Sequence, residues 1–568
     1  MMVLPHDQSS HQLSSIRHAL QSGDVSKARQ IAEQALANAP ENAILANAAG
    51  DLALKCGDVE TAKARFRKAI QLQPGNIDFQ LNYAIALQRL DEHHKALDLL
   101  RTCETEGREI PRYASMRAMS HRALGQLAEA SHWYDIVLTL DGKHPRGLHG
   151  RARIALERGD GDAVERFDAA LAHNPQDLDM WLGKAQAFEV AGDKNGAREI
   201  AERLVALAPT FVPGVRYASE LLLSDGHPDF ASPFRKARQL APRDPNIALH
   251  HVETLAGLDF YAQAADEAAV AGRTFPQEPI FTLLEAAYAS SAGENERASS
   301  LFASLPSDLP GRYVHEARFA LRTQDFSRAD MLLSKAIDDH PWDISAWALR
   351  GIVWRLLEHP QAQWLHGQAG LVQLRPLVGH RNLIDDVIAA LRALHENAGK
   401  PLGQSVRGGT QTRGVLLQRK EPIFHDLKQA IDATLHEYRN NLPAEDPSHP
   451  LLRHRTAPWS TGGSWSVRLT GNGDHHTAHI HPQGVISSAL YLVVPEEVEG
   501  ADEEGWLEIG RPKPDLALNL EPIQTIKPKV GHLALFPSTV YHGTTPFRSA
   551  ERMTVAFDVM PAQGRGHG

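Results

Sequence analysis

Ten prolines (Pro40, Pro74, Pro111, Pro145, Pro175, Pro209, Pro242, Pro276, Pro310 and Pro341) punctuate the first two-thirds of the chain. Their spacing is close to the roughly 34-residue period of stacked helix-turn-helix units. Proline cannot continue a helix, so each one marks where one pair of helices ends and the next begins. The stretch from residue 12 to residue 358 therefore predicts a row of short paired helices. Residues 43–74 show the unit best. Gly50 and Ala62 are small where two helices must approach, Gly57 sits in the turn, and Phe66 and Ala69 face the neighbour. Residues 178–209 repeat it with Trp181, Ala185, Phe188, Gly192 and Ala197, and Trp347, Gly351 and Trp354 open a last copy. One such pair cannot bury its apolar face alone, whereas stacked pairs share a continuous core.

These residues resemble the tetratricopeptide repeat over roughly nine or ten units, some of them degraded. The resemblance implies an α-α superhelical solenoid with a concave groove that docks a protein or peptide. The alternative is a spacer or a platform for self-association. Trp181, Trp347 and Trp354 occupy packing positions and are read as core.

Composition narrows the class. A chain of 568 residues is too long for one core, so the reading is a multidomain α + β protein. A net charge of -10 argues against general nucleic-acid binding, which needs a basic face. The two cysteines, Cys56 and Cys103, lack CxxC spacing and point to a reducing compartment. The N-terminus has no basic start followed by an apolar run, and no stretch approaches the ~20 apolar residues of a membrane span. A cytoplasmic protein without membrane attachment is expected, and the pattern sets no oligomeric state.

Residues 359–400 read as a helical connector, with Leu383, Val387, Ile388, Leu391 and Leu394 in an apolar stripe. The pattern breaks at residues 398–401, and residues 404–414 are rich in glycine and polar groups, as loops are. Arg407 and Arg413 there can meet anionic groups, and Gly408–Gly409 would let backbone approach a ligand. Residues 421–441 return to a helical stripe of Ile423, Leu427, Ile431, Leu435 and Tyr438.

After Pro458 the hydrophobic period changes from helical to strand-like. Many short alternating segments separated by Gly/Pro turns predict a sandwich, jelly roll or small barrel from 401 to 568. Within it, His475, His476, His479 and His481 fall inside seven residues. His479 and His481 stand at i and i+2, which in an extended segment puts both rings on one side. With 30 histidines in the chain, a His-x-His pair is expected by chance roughly once or twice. What gives the pair weight is His542 downstream and Arg552 ten residues beyond it, with the hydroxyl of Thr554 two further on.

This order resembles the 2-oxoglutarate- and iron(II)-dependent oxygenase superfamily, and more narrowly a group of its bacterial and phage members. The narrower likeness rests on His-x-His-Pro at 479–482, on Ser487, Ser488 and Tyr491, on Leu535-Phe-Pro-Ser538 and on Val540-Tyr-His542. It covers approximately residues 401–561. The resemblance implies a double-stranded β-helix (jelly-roll) domain with Fe(II) and 2-oxoglutarate as cofactors. It implies His479, His481 and His542 as metal ligands, and Arg552, Thr554, Tyr491 and Arg468 around the 2-oxoglutarate. Arg407, Gln411 and Trp465 would face substrate. His475 and His476 are read as loop residues, and His532 as a strand residue bonded to backbone. The sequence departs from the superfamily at His481, where a carboxylate is usual, and so loses one negative charge beside the metal. Alternatively His481 stands behind the ligands, and Asp474, another carboxylate or water completes the set.

The combined expectation is a dioxygenase that hydroxylates a protein or peptide docked by the repeats. The alternative is an inactive interaction scaffold with a cupin-like metal-binding domain.

Overall fold

The computed structural model of the chain describes residues 5–379, 382–400, 405–471, 473–500, 502–548 and 551–561. Residue 401 of the expected break at 398–401 and residue 404 of the expected loop at 404–414 lie outside the described residues. The chain divides into two compact units, Met1–Leu156 with Asp162–Gln176, and Glu157–Gly161 with Asp177–Gly568.

The first unit is built from helix pairs, and residues 43–74 show why. Helices Ala43–Lys55 and Val59–Leu72 start at Asn42 and Asp58, whose side chains accept from Leu45 N and Thr61 N and so satisfy otherwise orphaned amides. Gly57 takes φ +79° in the turn between them, a conformation that costs glycine nothing. A Cβ on Gly50 would lie 2.7 Å from the Phe66 ring, so glycine is what lets the two helices close. Helices stop shortly before Pro40 and Pro74, whereas Pro111 and Pro145 begin theirs, where the missing N–H is of no consequence.

The second unit continues the helix pairs from Leu178–Val190 to Ile344–Leu356 and then becomes β-rich. Trp347 and Trp354 are buried in its helical core as expected, and Trp181 lies half-buried with Arg203 over its ring. None of the described helices is long and apolar enough to cross a membrane.

The strands are β1 (Gln373–Pro376), β2 (Val406–Arg407), β3 (Thr410–Gln411), β4 (Trp459–Leu469), β5 (His475–His476) and β6 (Ile486–Val493). They continue with β7 (Leu507–Ile509), β8 (Gln524–Ile526), β9 (His532–Pro537), β10 (His542–Thr544) and β11 (Arg552–Pro561). The larger sheet runs β1-β9-β6-β11-β4-β3, a second runs β10-β7-β8, and β2 pairs with β5. Among the described residues, the strand pairings within the two larger sheets are antiparallel.

Strand alternation decides which face each residue covers. Leu490, Leu492, Leu533, Leu535, Met553, Val555, Phe557 and Val559 pack on helices Leu383–Glu396 and Pro422–Asn440. Tyr491, Ala534 and Phe536 point the other way and meet Leu507, Ile509 and Ile526 of the small sheet. The segment 359–400 does more than connect. It supplies β1 to the sheet edge as well as a covering helix. Its four-residue strand, Gln-Leu-Arg-Pro, is too short to show an alternation.

The last helix pair shares a core with the β-rich region: Trp347 and Trp354 cluster with Leu365, Leu516 and Tyr541, and Ile480 packs against them. Ile480 separates His479 from His481, so the solenoid anchors the intervening side chain of the histidine pair.

Candidate metal centre

The final strand organises the site. On β11 the odd-numbered residues go to the core, so Arg552, Thr554, Ala556 and Asp558 share the opposite face and line a cavity of about 940 Å³. At the bottom of this cavity are His479, His481 and His542, whose ligand atoms all lie within 4.8 Å of one another.

Backbone pairing fixes two of the three. His479 N donates to His542 O and His542 N to His479 O, each at 2.9 Å, which locks the segments together across one bridge. Each ring is then oriented through Nδ1. His479 Nδ1 lies 2.8 Å from Thr477 O, and His542 Nδ1 lies 3.2 Å from Val540 O. A carbonyl oxygen only accepts, so Nδ1 carries the proton in both and Nε2 presents a lone pair. His481 Nδ1 bonds Asp558 Oδ1 in the same manner.

His479 Nε2 and His481 Nε2 stand 3.1 Å apart. Two lone pairs at that distance repel unless a cation lies against them, so the donor set fits a metal ion. Burial pushes His479 down to about 3, and pushes His542 well below the usual range. Both are thus neutral, the ligating form, at ordinary pH. Three imidazoles on one side leave the opposite side of a bound ion open to other groups.

On the same wall, Arg552 is 2% exposed, and no carboxylate pairs with it among the described residues. Its Nε has no hydrogen-bond partner, and neither has the buried hydroxyl of Tyr491, over whose ring the guanidinium sits at 5.6 Å. Burial holds the Arg552 guanidinium below its ordinary range and pushes the Tyr491 phenol up to about 12. A buried cation without a partner is costly, and a carboxylate ligand would relieve that cost. Thr554 adds a hydroxyl one step along the strand, on the cavity wall. The residues therefore fit a dicarboxylate whose far end meets Arg552.

The other candidates divide. Trp465 lines the cavity, its ring 5.8 Å from that of His481. Arg407 and Gln411 also line it, but Arg407 is neutralised by Asp259 in the turn after helix Pro245–Gly257. Arg468 is not brought to the cavity. It alternates onto the other face of β4, where its Nε donates to Glu551 at 2.6 Å. Gly408 and Gly409 give room to protein, not to a ligand, since a Cβ on them would strike Asp474 and the Arg468 carbonyl. Asp474 accepts from Thr470 N at 2.9 Å and stands outside the histidine cluster. Arg413 does meet anions, the carboxylates of Glu189 and Glu220. His475 and His476 form β5, and the His476 ring stacks 5.9 Å from His479. His532 bonds Val530 O, as expected.

Two features escaped the sequence. The first is Asp558, which counting in twos from Arg552 along a strand would have found. The second is the outer wall of the cavity, formed by first helices of the later repeats through Gly257, Tyr288, His315, Arg318 and Leu349. Burial pushes Tyr288 up to about 12 and His315 down to about 4. Only folding brings these residues within reach of β11, more than 200 positions away.

Residues 463–558 match the family described as "Putative 2OG-Fe(II) oxygenase". Residues 13–77 with 161–210, and residues 53–119, match tetratricopeptide repeat families. The chain thus carries tetratricopeptide repeats followed by a domain of that oxygenase family. Among solved structures, a tetratricopeptide repeat protein from Parabacteroides merdae is 20% identical, over 41% of this chain and 94% of that one, with a TM-score of 0.35. PilF of Pseudomonas aeruginosa is 18% identical, over 38% of this chain and 98% of that one, with a TM-score of 0.35. No curated protein matches this chain.

Proposed function

We propose that the protein is an iron(II)- and 2-oxoglutarate-dependent oxygenase that hydroxylates a polypeptide held by its repeats, and that it works in the cytoplasm. His479, His481 and His542 hold the metal through Nε2. Arg552 grips the far carboxylate of 2-oxoglutarate with paired N–H donors, and Thr554 and Tyr491 flank it. Iron(II) with 2-oxoglutarate and oxygen supplies hydroxylation of a C–H bond, coupled to conversion of 2-oxoglutarate to succinate and carbon dioxide.

The chain's own work is placement. The strand that carries Arg552 also carries Asp558, the carboxylate behind His481, so one element ties the anchor to the histidine cluster. Tyr491 and the core behind it keep water from the guanidinium. The substrate enters from the side of the later repeats, along the wall carrying Tyr288 and His315. Trp465, Gln411 and Arg407 shape the mouth, and the functional oxygenase part is taken as 401–568 with 359–400 as its covering segment.

The observation that carries this reading is the buried Arg552, without a carboxylate partner among the described residues, on the same cavity wall as three converging imidazoles. An anaerobic titration with iron(II) and 2-oxoglutarate tests it. A charge-transfer absorption on mixing, then succinate on admitting oxygen, is the expected result. Absence of both, with Arg552→Ala indistinguishable from the unsubstituted protein, overturns it. A polypeptide that gains one oxygen atom only in the presence of the full chain identifies the substrate.

A further inference from the structure

We propose that Asp558 is a positioning residue that restores, through His481, the negative charge missing from a three-histidine centre. The inference rests on the metal site proposed above and concerns how this chain makes it bind.

The geometry is specific. Asp558 Oδ1 accepts from His481 Nδ1, and the two side chains are only 18% and 13% exposed. The carboxylate stands outside the histidine cluster itself, so its action on a metal passes through the ring. A carboxylate behind a ligating imidazole fixes the tautomer and ring orientation and makes the nitrogen facing the metal a stronger donor. His479 and His542 have only backbone carbonyls behind them. His481 alone of the three is backed by a full charge.

The surrounding backbone is shaped to make this contact. The long pairing of β11 with β4 shifts register between Phe557 and Val559, where Phe557 faces Ser464 and Val559 faces Thr461. The extra residue lies in the Gly462–Gly463 stretch of β4, opposite Asp558. Such a bulge bends the strand that carries it, here β4, and it places glycines without side chains opposite Asp558. Gly484 contributes space, since a Cβ there would lie 3.1 Å from that of Asp558. The turn after His481 is tied down beside it, with Gly484 N bonded to His481 O and Val485 N to Val559 O at 2.8 Å. Backbone hydrogen bonds therefore tie the turn after His481 to the part of β11 that carries Asp558.

A superfamily member with a carboxylate ligand has its charge in contact with the metal. Here the charge is one imidazole away, and the same face of β11 carries both it and the co-substrate anchor. The step involves no group transfer. The proton stays on His481 Nδ1, held by Asp558, and Nε2 stays free.

Direct cobalt(II) binding, followed by its visible absorption in the full-length apoprotein, tests this without turnover or 2-oxoglutarate. Asp558→Asn keeps the size of the side chain, and Asp558→Ala removes the acceptor. Each should weaken cobalt(II) roughly 10- to 100-fold and alter the absorption envelope. If Asp558 acts only through His481, adding Asp558→Asn to His481→Ala should cause no further loss. Thermal unfolding of each variant separates misfolding from a local effect. Wild-type affinity and spectrum in folded Asp558→Asn and Asp558→Ala overturn the inference and leave the metal site standing. A further loss on the His481→Ala background overturns the route through His481. Failure of the unsubstituted protein to bind cobalt(II) overturns the metal site itself.

Discussion

Arg413, half-buried, and Arg552, buried, are two arginines of the same unit, and they are treated in opposite ways. Arg413 holds Glu189 and Glu220, and Glu189 is held in turn by the Tyr217 hydroxyl. Elsewhere in the helical part, Glu316 is likewise matched by Arg312 and Arg328. On the β-rich side, Arg552 has the deepest burial and no carboxylate among the described residues. Matched charges hold packed surfaces in register. An unmatched one marks a place kept for something the chain does not contain.

That contrast can be broken experimentally, most strongly at the matched site. Arg413→Met should destabilise the protein by about 3 kcal/mol, because Glu189 and Glu220 are left in a poorly solvated place. The drop should appear in denaturant unfolding at pH 7 and shrink at low pH. Burial already pushes Glu220 up, so its carboxylate protonates easily once unpaired. Arg552→Ala should weaken 2-oxoglutarate by about 100-fold, near 3 kcal/mol for a lost bidentate pair, with cobalt(II) affinity kept. Calorimetry of the metal-loaded protein measures this.

The same position sharpens the point with the opposite sign. Arg552→Met should leave the apoprotein as stable as before or about 1 kcal/mol more stable, since an uncompensated charge is replaced by apolar volume. A fall in stability as large as that of Arg413→Met would show that Arg552 serves packing rather than a ligand.

Steric close approach in the repeats is a smaller effect. Gly50→Ala puts a Cβ 2.7 Å from the Phe66 ring and should cost about 1–3 kcal/mol, read as a lower unfolding midpoint. Smallest of all is Arg468→Ala. With its side chain turned to Glu551, away from the cavity, 2-oxoglutarate affinity should stay within about twofold, whatever is lost from an ion pair of about 1 kcal/mol or less.

Much of this was legible beforehand. Pro74 and Pro209, with Gly57 and Gly192, placed helix ends and turns correctly, because local backbone rules act within a few residues. The histidines and Arg552 were legible through order and spacing, and they do converge on one cavity. Arg468 was misjudged because either side of β4 can face the cavity until the sheet is closed and the register set. A one-residue difference in pairing reverses every side chain. Gly408 and Gly409 were linked to a ligand because glycine indicates close approach without indicating what approaches.

By itself, then, the sequence determined a period of paired helices, the strand-rich stretch after Pro458 though not the three short strands before it, and a set of residues suited to metal and carboxylate. Those depend on local propensity and on chemistry that each side chain carries with it. Tertiary structure decided the rest. It turned Arg468 outward, left Arg552 without a carboxylate partner among the described residues, brought Asp558 to His481 across 77 positions, and set Tyr288 and His315 of the repeats over the same cavity. These are long-range pairings, and their energy appears only when packing removes water from both partners.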